Sequence, residues 1–295
     1  AAARTPPPCD GGQWGTRRYS EWFAESSMIE CSGLEKVTGL AKTMMRDFHI
    51  HATAYREGNP APDNTVAAVL AKAAELGLQY VGVGEHLNRS PKHPAACLHA
   101  LVAEFRSLPP NGTTMKAFVG AEADILDQDG TVTCTAAQKR AFGLDYLLAA
   151  VHTNPASQPD VTRYVDDEHQ RILGVIRRCA HVDVIAHPWG QGVRWERAGA
   201  IRRWSFDLVP DAYKDSIIAA AVRHDKAIEV NLGGKTRVDD QGYVAFVCEL
   251  RDSGVKISIG SDAHAVASIA RGLDTYAFLQ GLGIHESQLW HAGSA

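Results

Sequence analysis

The sequence has no C-x-x-C pair: its six cysteines lie far apart, at positions 9, 31, 97, 134, 179 and 248. That spacing excludes a zinc ribbon and a dense disulfide framework, and it predicts reduced, mostly buried thiols in a cytoplasmic protein. No apolar run approaches the roughly 18 residues that a membrane helix needs, so no membrane association is expected. The opening segment "AAARTPPPCDGGQWGTRRYS" lacks an apolar core and does not read as a secretory signal. A basic excess is missing too. With 30 Lys and Arg against 34 Asp and Glu, the formal charge is −4, and no stable nucleic-acid partner is expected. No strand-like run leads into G-x-G-x-x-G or a Walker A loop, which removes support from nucleotide-binding folds.

What the chain does have is alternation. Short apolar runs at 79–86, 115–125, 144–152, 182–188, 227–234 and 255–264 follow a first one that begins near residue 44. Helical patterns fall between them, at 65–76, 161–180, 210–224, 240–253 and 265–281. Asp63 or Asn64 is the expected N-cap of the first helix and Gly77 its C-terminal stop. Strands that are apolar throughout and separated by helices indicate a parallel sheet covered on both faces. Seven such repeats in about 240 residues suit an α/β fold of (β/α) barrel type better than two Rossmann halves. The expected organisation is an N-terminal helical extension over 1–43 that packs on a barrel over 44–295.

The polar residues select one end of that barrel. Nearly every strand candidate ends in histidine or carboxylate: His49 and His51, Glu85 and His86, Glu122, His152, His187, then Asp262 and His264. In a parallel barrel these strand ends share the face where barrel enzymes build their sites. Imidazole and carboxylate are ligands for Zn, Mn or Fe, and a mixture this rich exceeds one tetrahedral site. Residues i and i+2 of a strand point the same way, so His49-x-His51 delivers two donors to one ion. A carboxylate such as Glu122 can bridge two ions, and an ion pair about 3.5–4 Å apart generates hydroxide at neutral pH.

Taken in order, "DFHIH", "GVGEH", "GAEAD", "AAVHTN", "VIAHPWG", "IEVNLGG" and "ISIGSDAH" resemble the successive motifs of the polymerase and histidinol phosphatase (PHP) family, over about residues 44–280. The resemblance implies a distorted, TIM-like (β/α)7 barrel that holds two or three divalent metals and hydrolyses phosphate esters. By position, it implies that His49, His51, Glu122 and Asp262 hold a first metal. Glu122, His152 and His187 would hold a second, with Glu122 bridging, and His86 and His264 a third. The family places one more histidine six residues after the second histidine of its opening motif; here that position is Glu57. Glu57 is taken as a carboxylate ligand of the third metal, the alternative being a binuclear enzyme with a degraded third site.

Around these ligands the residues divide. Asp47 is expected either to orient a ligand histidine or simply to open the strand. Glu85 is expected either to serve as an acid or base behind the ligands or, the favoured reading, to point away by strand alternation, and Glu229 and Asn231 to support loop geometry. A phosphate substrate calls for cations beside the metals, and Arg194, Arg163 and Lys235 are the candidates for binding it, with Arg89 behind them. Trp189 and Trp195 either line the pocket or pack over the barrel mouth.

The resulting expectation is a metal-dependent phosphatase of a small phosphorylated metabolite. A metal-bridging hydroxide attacks phosphorus, with Glu122, Asp262 and His264 at the reacting centre. Phosphodiester or phosphotriester cleavage on the same site is the alternative within enzymes. A non-catalytic or proofreading metal-binding module is the alternative outside them, and the absence of a polymerase region and of a basic surface counts against it.

Overall fold

The apolar runs become eight short parallel strands in a computed structural model that describes residues 45–52, 64–88, 95–109, 114–152, 160–232 and 238–293. These are β1 (Arg46–His51), β2 (Tyr80–Gly84), β3 (His86–Leu87), β4 (Lys116–Asp124), β5 (Tyr146–Ala150), β6 (Val184–Ile185), β7 (Ala227–Val230) and β8 (Ile257–Ile259). The order is β1-β2-β4-β5-β6-β7-β8, with β3 continuing the line of β2 past Glu85 and pairing with β4. Beyond β8 the chain meets the first strand again: His51 N–H donates to the Ala263 carbonyl at 2.8 Å, and Ala263 N–H to that of His49 at 3.3 Å. The result is a distorted (β/α)7 barrel, TIM-like in architecture. The expected extension at 1–43 lies outside the described residues.

Helices α1 (Val66–Glu75), α2 (Ala95–Ser107), α3 (Ala136–Phe142), α4 (Val161–Arg178), α5 (Val193–Arg197), α6 (Asp211–Arg223), α7 (Gln241–Ser253) and α8 (Arg271–Gly281) cover the outside. Thr65, not Asp63 or Asn64, caps α1 by accepting from Ala68 N–H; Asn64 instead donates to the His51 carbonyl. Asp160 caps α4, and Arg177 and Arg178 complement its C-terminal dipole. Segment 95–107, absent from the helical patterns of the sequence, is helical, and the stretch after His187 contains α5. Among the described residues no helix is long and apolar enough to cross a membrane.

The barrel interior divides into two storeys. Phe48, Tyr146, Leu148, Ala150, Val184, Ala186 and Ala227 fill the lower one, and Trp290 stands edge-on to Phe48 at 4.9 Å between ring centres. Arg46, 1% exposed, ties that C-terminal segment in place by donating to the Leu289 carbonyl at 2.8 Å and to Glu286 at 2.6 Å. Each fully buried aromatic or aliphatic side chain contributes about 1.5–3 kcal/mol. The upper storey is polar. The change-over is set in β1, where Asp47 pairs with Val81 but Ile50 with Val83, so one strand carries an extra residue. This bulge re-aims the alternation: Phe48 packs inside below it, His49 and His51 face inward above it, and Ile50 joins the outer core.

Candidate metal centre

His49, His51, Glu122 and Asp262, from β1, β4 and the end of β8, bring one donor atom each to within 4.8 Å of one another, all buried. His49 and His51 face each other through Nε2 at 3.0 Å. Glu122 Oε2 lies 3.5 Å from both of these nitrogens, and Asp262 Oδ1 lies 3.4 Å from His49 and 3.2 Å from His51. The other Glu122 oxygen turns to the opposite side, 3.0 Å from His187 Nε2 and 3.4 Å from His152 Nε2. Glu122 thus stands between two groups of histidines. His86 approaches Glu122 Oε2 through Nδ1 at 2.6 Å and His264 through Nε2 at 3.2 Å, so it joins the Glu122 group as well as the outer one. His51, His86 and His264 form a third convergent set nearer the mouth.

Orientation comes from further carboxylates. Glu229 Oε1 accepts from His49 Nδ1 at 2.7 Å, and its Oε2 accepts from the His187 backbone N–H at 2.7 Å. Asp124 holds His152 Nδ1 at 2.7 Å, and the Asp262 carbonyl holds His264 Nδ1 at 2.9 Å. Fixing one ring nitrogen leaves the other as the donor, which is how ligand imidazoles are set. Asp47 acts on backbone instead, accepting from His49 N–H at 3.0 Å and Ser261 N–H at 3.1 Å. Glu85 does not point away: fully buried, it accepts from His86 N–H at 2.9 Å and lies 3.8 Å from His51 Nδ1. Gly260 makes room for the Glu229 bond, because a Cβ there would lie 1.7 Å from Glu229 Oε1.

The electrostatics call for positive charge inside the ring. Burial raises the cost of ionising Glu122, but His86, His152 and His49 outweigh it and hold its carboxyl well below the usual range. Burial pulls His49 down, and Glu229, Glu122 and Asp262 more than reverse that. Burial, then His86 and His264, press His51 well below an ordinary imidazole. His152 is lowered by burial and lifted by Glu122 and Asp124 to about 9. Imidazole nitrogens facing at 3.0 Å and 3.2 Å share one hydrogen at best, and the carboxylates of Glu122, Asp262 and Glu229 crowd the same buried rings. A divalent cation among these donors satisfies both conditions, so the residues fit the metals that the sequence motifs imply.

Other candidates fall elsewhere. Arg194 is exposed on α5, within the field of Asp262. Arg163 is 79% exposed, 3.8 Å from Asp160. Glu57, Lys235 and Arg89 lie outside the described residues. Trp189 and Trp195 are wholly buried, Trp195 stacked on Tyr164 at 4.1 Å, so packing accounts for them. Asp124 and the direct bond of Glu229 to His49 escaped the sequence reading. The signal was present: Asp124 sits two residues after Glu122 on the same strand face, and Glu229 is a charge amid an apolar strand.

No family model matches the chain. A protein named probable phosphatase from Caldicellulosiruptor saccharolyticus is 24% identical over 213 residues, covering 70% of this chain and 77% of its own length. A probable phosphatase of Thermoanaerobacter sp. strain X514 is 23% identical over 230 residues, or 76% and 82% of the two chains. Probable phosphatase YcdX of Escherichia coli O139:H28 is 23% identical over 224 residues, or 74% and 78%. Among solved structures, the fold is shared with histidinol phosphate phosphatase from Lactococcus lactis in complex with zinc, L-histidinol and phosphate. The TM-score is 0.55 at 15% identity, covering 82% of this chain and 94% of that one. Motif order, barrel and curated relatives point the same way: over most of its length the chain is similar to proteins named probable phosphatases, and it shares its fold with a histidinol phosphate phosphatase.

Proposed function

We propose that the protein removes phosphate from a small phosphorylated metabolite, with two or three divalent ions held by the strand-end cluster. The observation that carries this reading is Glu122, whose two oxygens address separate groups of histidines, as a bridging carboxylate does. His49, His51, Glu122 and Asp262 are assigned to the first ion and Glu122, His152 and His187 to the second. His86, His264 and Glu57 are assigned to the third. Zinc, manganese and iron all suit the donor set, and zinc is the ion in the Lactococcus lactis structure. Bound ions supply Lewis acidity to the phosphoryl oxygens and an activated water at neutral pH.

The chain's own residues do the rest. Asp262 and Glu122 keep the reacting centre anionic and dry, with Glu229 and Asp124 holding the histidine rings in register. Arg194 meets the outer phosphoryl oxygens, where a guanidinium pairs bidentately. His264 has a side chain 41% exposed, with Nδ1 fixed by the Asp262 carbonyl. With two ions bound it hands the leaving alkoxide its proton; with three it is a ligand. Buried thiols at Cys97, Cys134, Cys179 and Cys248 support a reducing, cytoplasmic setting.

The test is elemental analysis of protein purified without added metal, then a panel of phosphate mono-, di- and triesters with each ion. At least two ions per chain and a preference for monoesters are expected. Activity confined to diesters or triesters would replace the monoesterase reading, and full activity without metal would end it. Glu57→Ala should cost one ion and leave the others.

A further inference from the structure

The turn that carries His187 is strained backbone beside the cluster. His187 and Trp189 both take left-handed angles, φ 29° and 53°, with Pro188 between them. Such positions are strained outside glycine and persist only where the surroundings hold them. Two buried carboxylates hold this turn at successive amides. Glu229 takes the His187 N–H at 2.7 Å, and Glu168, from α4, takes the Trp189 N–H at 2.5 Å. The Trp189 indole N–H donates to the Val165 carbonyl at 3.2 Å, so both donors of Trp189 end on one turn of α4. The turn is tied to the sheet at one end and to a helix at the other.

Glu168 is an expensive way to build a helix face. It is 1% exposed, on the buried side of α4 with Tyr164, Val165, Ile172 and Leu173. An apolar residue there would fill the space without burying a carboxyl group. Burial pushes this carboxyl up to about 8, against the Tyr164 hydroxyl, the Trp189 amide and His152. What an apolar residue cannot do is accept the Trp189 amide, the donor that the left-handed turn directs at the helix.

We propose that Glu168 is a positioning residue for His187. By holding the Trp189 amide it fixes the turn that brings His187 Nε2 within 3.0 Å of Glu122. Without it the turn keeps its Glu229 tether and loses the other, and the imidazole is no longer aimed. The inference rests on His187 being a metal ligand.

The experiment is reloading of metal-free protein with zinc against a chromophoric chelator, for wild type, His187→Ala, Glu168→Ala and Glu168→Gln. Glu168→Ala should weaken one ion by roughly 10–100-fold, the usual cost of losing a group that orients a ligand, with the remaining ions unchanged. His187→Ala should lose that same ion. Glu168→Gln keeps an oxygen that accepts from Trp189 and should bind as wild type does. A merely structural role would lower thermal stability and leave the affinities alone, or weaken every ion equally; either result overturns the proposal. Should His187→Ala keep all its ions, the ligand assignment fails and the proposal with it. Should His187→Ala lose an ion that Glu168→Ala keeps, the proposal alone fails. If Glu168→Ala does not fold, Glu168→Asp, one methylene shorter, gives the same comparison.

Discussion

Glu229 bonds to His49 across 180 positions of sequence, its Oε1 2.7 Å from Nδ1 of the ring. The contact joins β7 to β1 inside the barrel and leaves Nε2 of His49 facing His51, Glu122 and Asp262. Replacing Glu229 by Gln keeps the shape but turns an anion into a neutral amide, and should reduce metal affinity by roughly 10–100-fold. Chelator competition reads this directly. Gly260→Ala should do more harm, because its methyl group would collide with Glu229; the expected result is a lower melting temperature together with lost metal. Wild-type affinity in both variants would refute the role given to this bond.

His49→Ala and Asp262→Ala should abolish turnover while far-ultraviolet circular dichroism remains near wild type. The reason is local: both side chains lie in the polar upper storey, whereas the apolar lower storey is untouched.

Removing metal should lower the melting temperature. An ion that binds only the folded chain stabilises it by about 2.7 kcal/mol at a free concentration 100 times its dissociation constant. Calorimetry with and without a strong chelator measures the difference, and identical melting points would contradict a ligand cluster.

Stability should also fall with rising pH through Glu168. Its carboxyl stands at about 8 in the folded protein against 4.5 ordinarily. Between those values the folded chain holds a proton that the unfolded chain has released. The stabilisation is therefore complete below 4.5 and lost as pH rises through about 8. Glu168→Gln should flatten that part of the curve relative to wild type, as read by urea unfolding across the range. An unchanged slope would show that the buried carboxyl does not titrate there.

Arg194→Ala should lower kcat/KM for a phosphomonoester by roughly 10–100-fold, the worth of a charged hydrogen bond of about 1.5–3 kcal/mol. The effect should be smaller on a diester, which presents fewer anionic oxygens. No loss on either would assign Arg194 to the surface.

The strand ends were legible because their chemistry is local. His49 and His51 sit at a spacing that only the strand period explains, and Asp262-x-His264 repeats it at the far end of the barrel. Helix α2 was hidden by the prolines and histidines of "SPKHPAACLHAL", which read as loop although its core face Leu98, Leu101 and Val102 is regular. The N-cap moved to Thr65 because Asn64 is committed to the His51 carbonyl, a tertiary bond that no local pattern announces. The β1 bulge leaves no mark in composition at all, and strict alternation would have set Phe48 opposite the histidines. Glu168 bonds an amide 21 residues away, and its worth appears only with the backbone angle of Trp189.

The C-terminal segment under the barrel has a consequence for the order of events during synthesis. Arg46, at the foot of the first strand, finds its partners 240 residues or more further along, at Glu286 and Leu289. His49 and Asp262 are likewise separated by almost the whole barrel. A ribosome that has delivered the first six strands has made neither the floor nor the complete ring of histidines and carboxylates. Closure must wait for the end of the barrel, which makes folding slow by topology. It also means that the emerging chain carries scattered histidines and carboxylates, and that their convergence is deferred until the vessel that gathers them has been sealed.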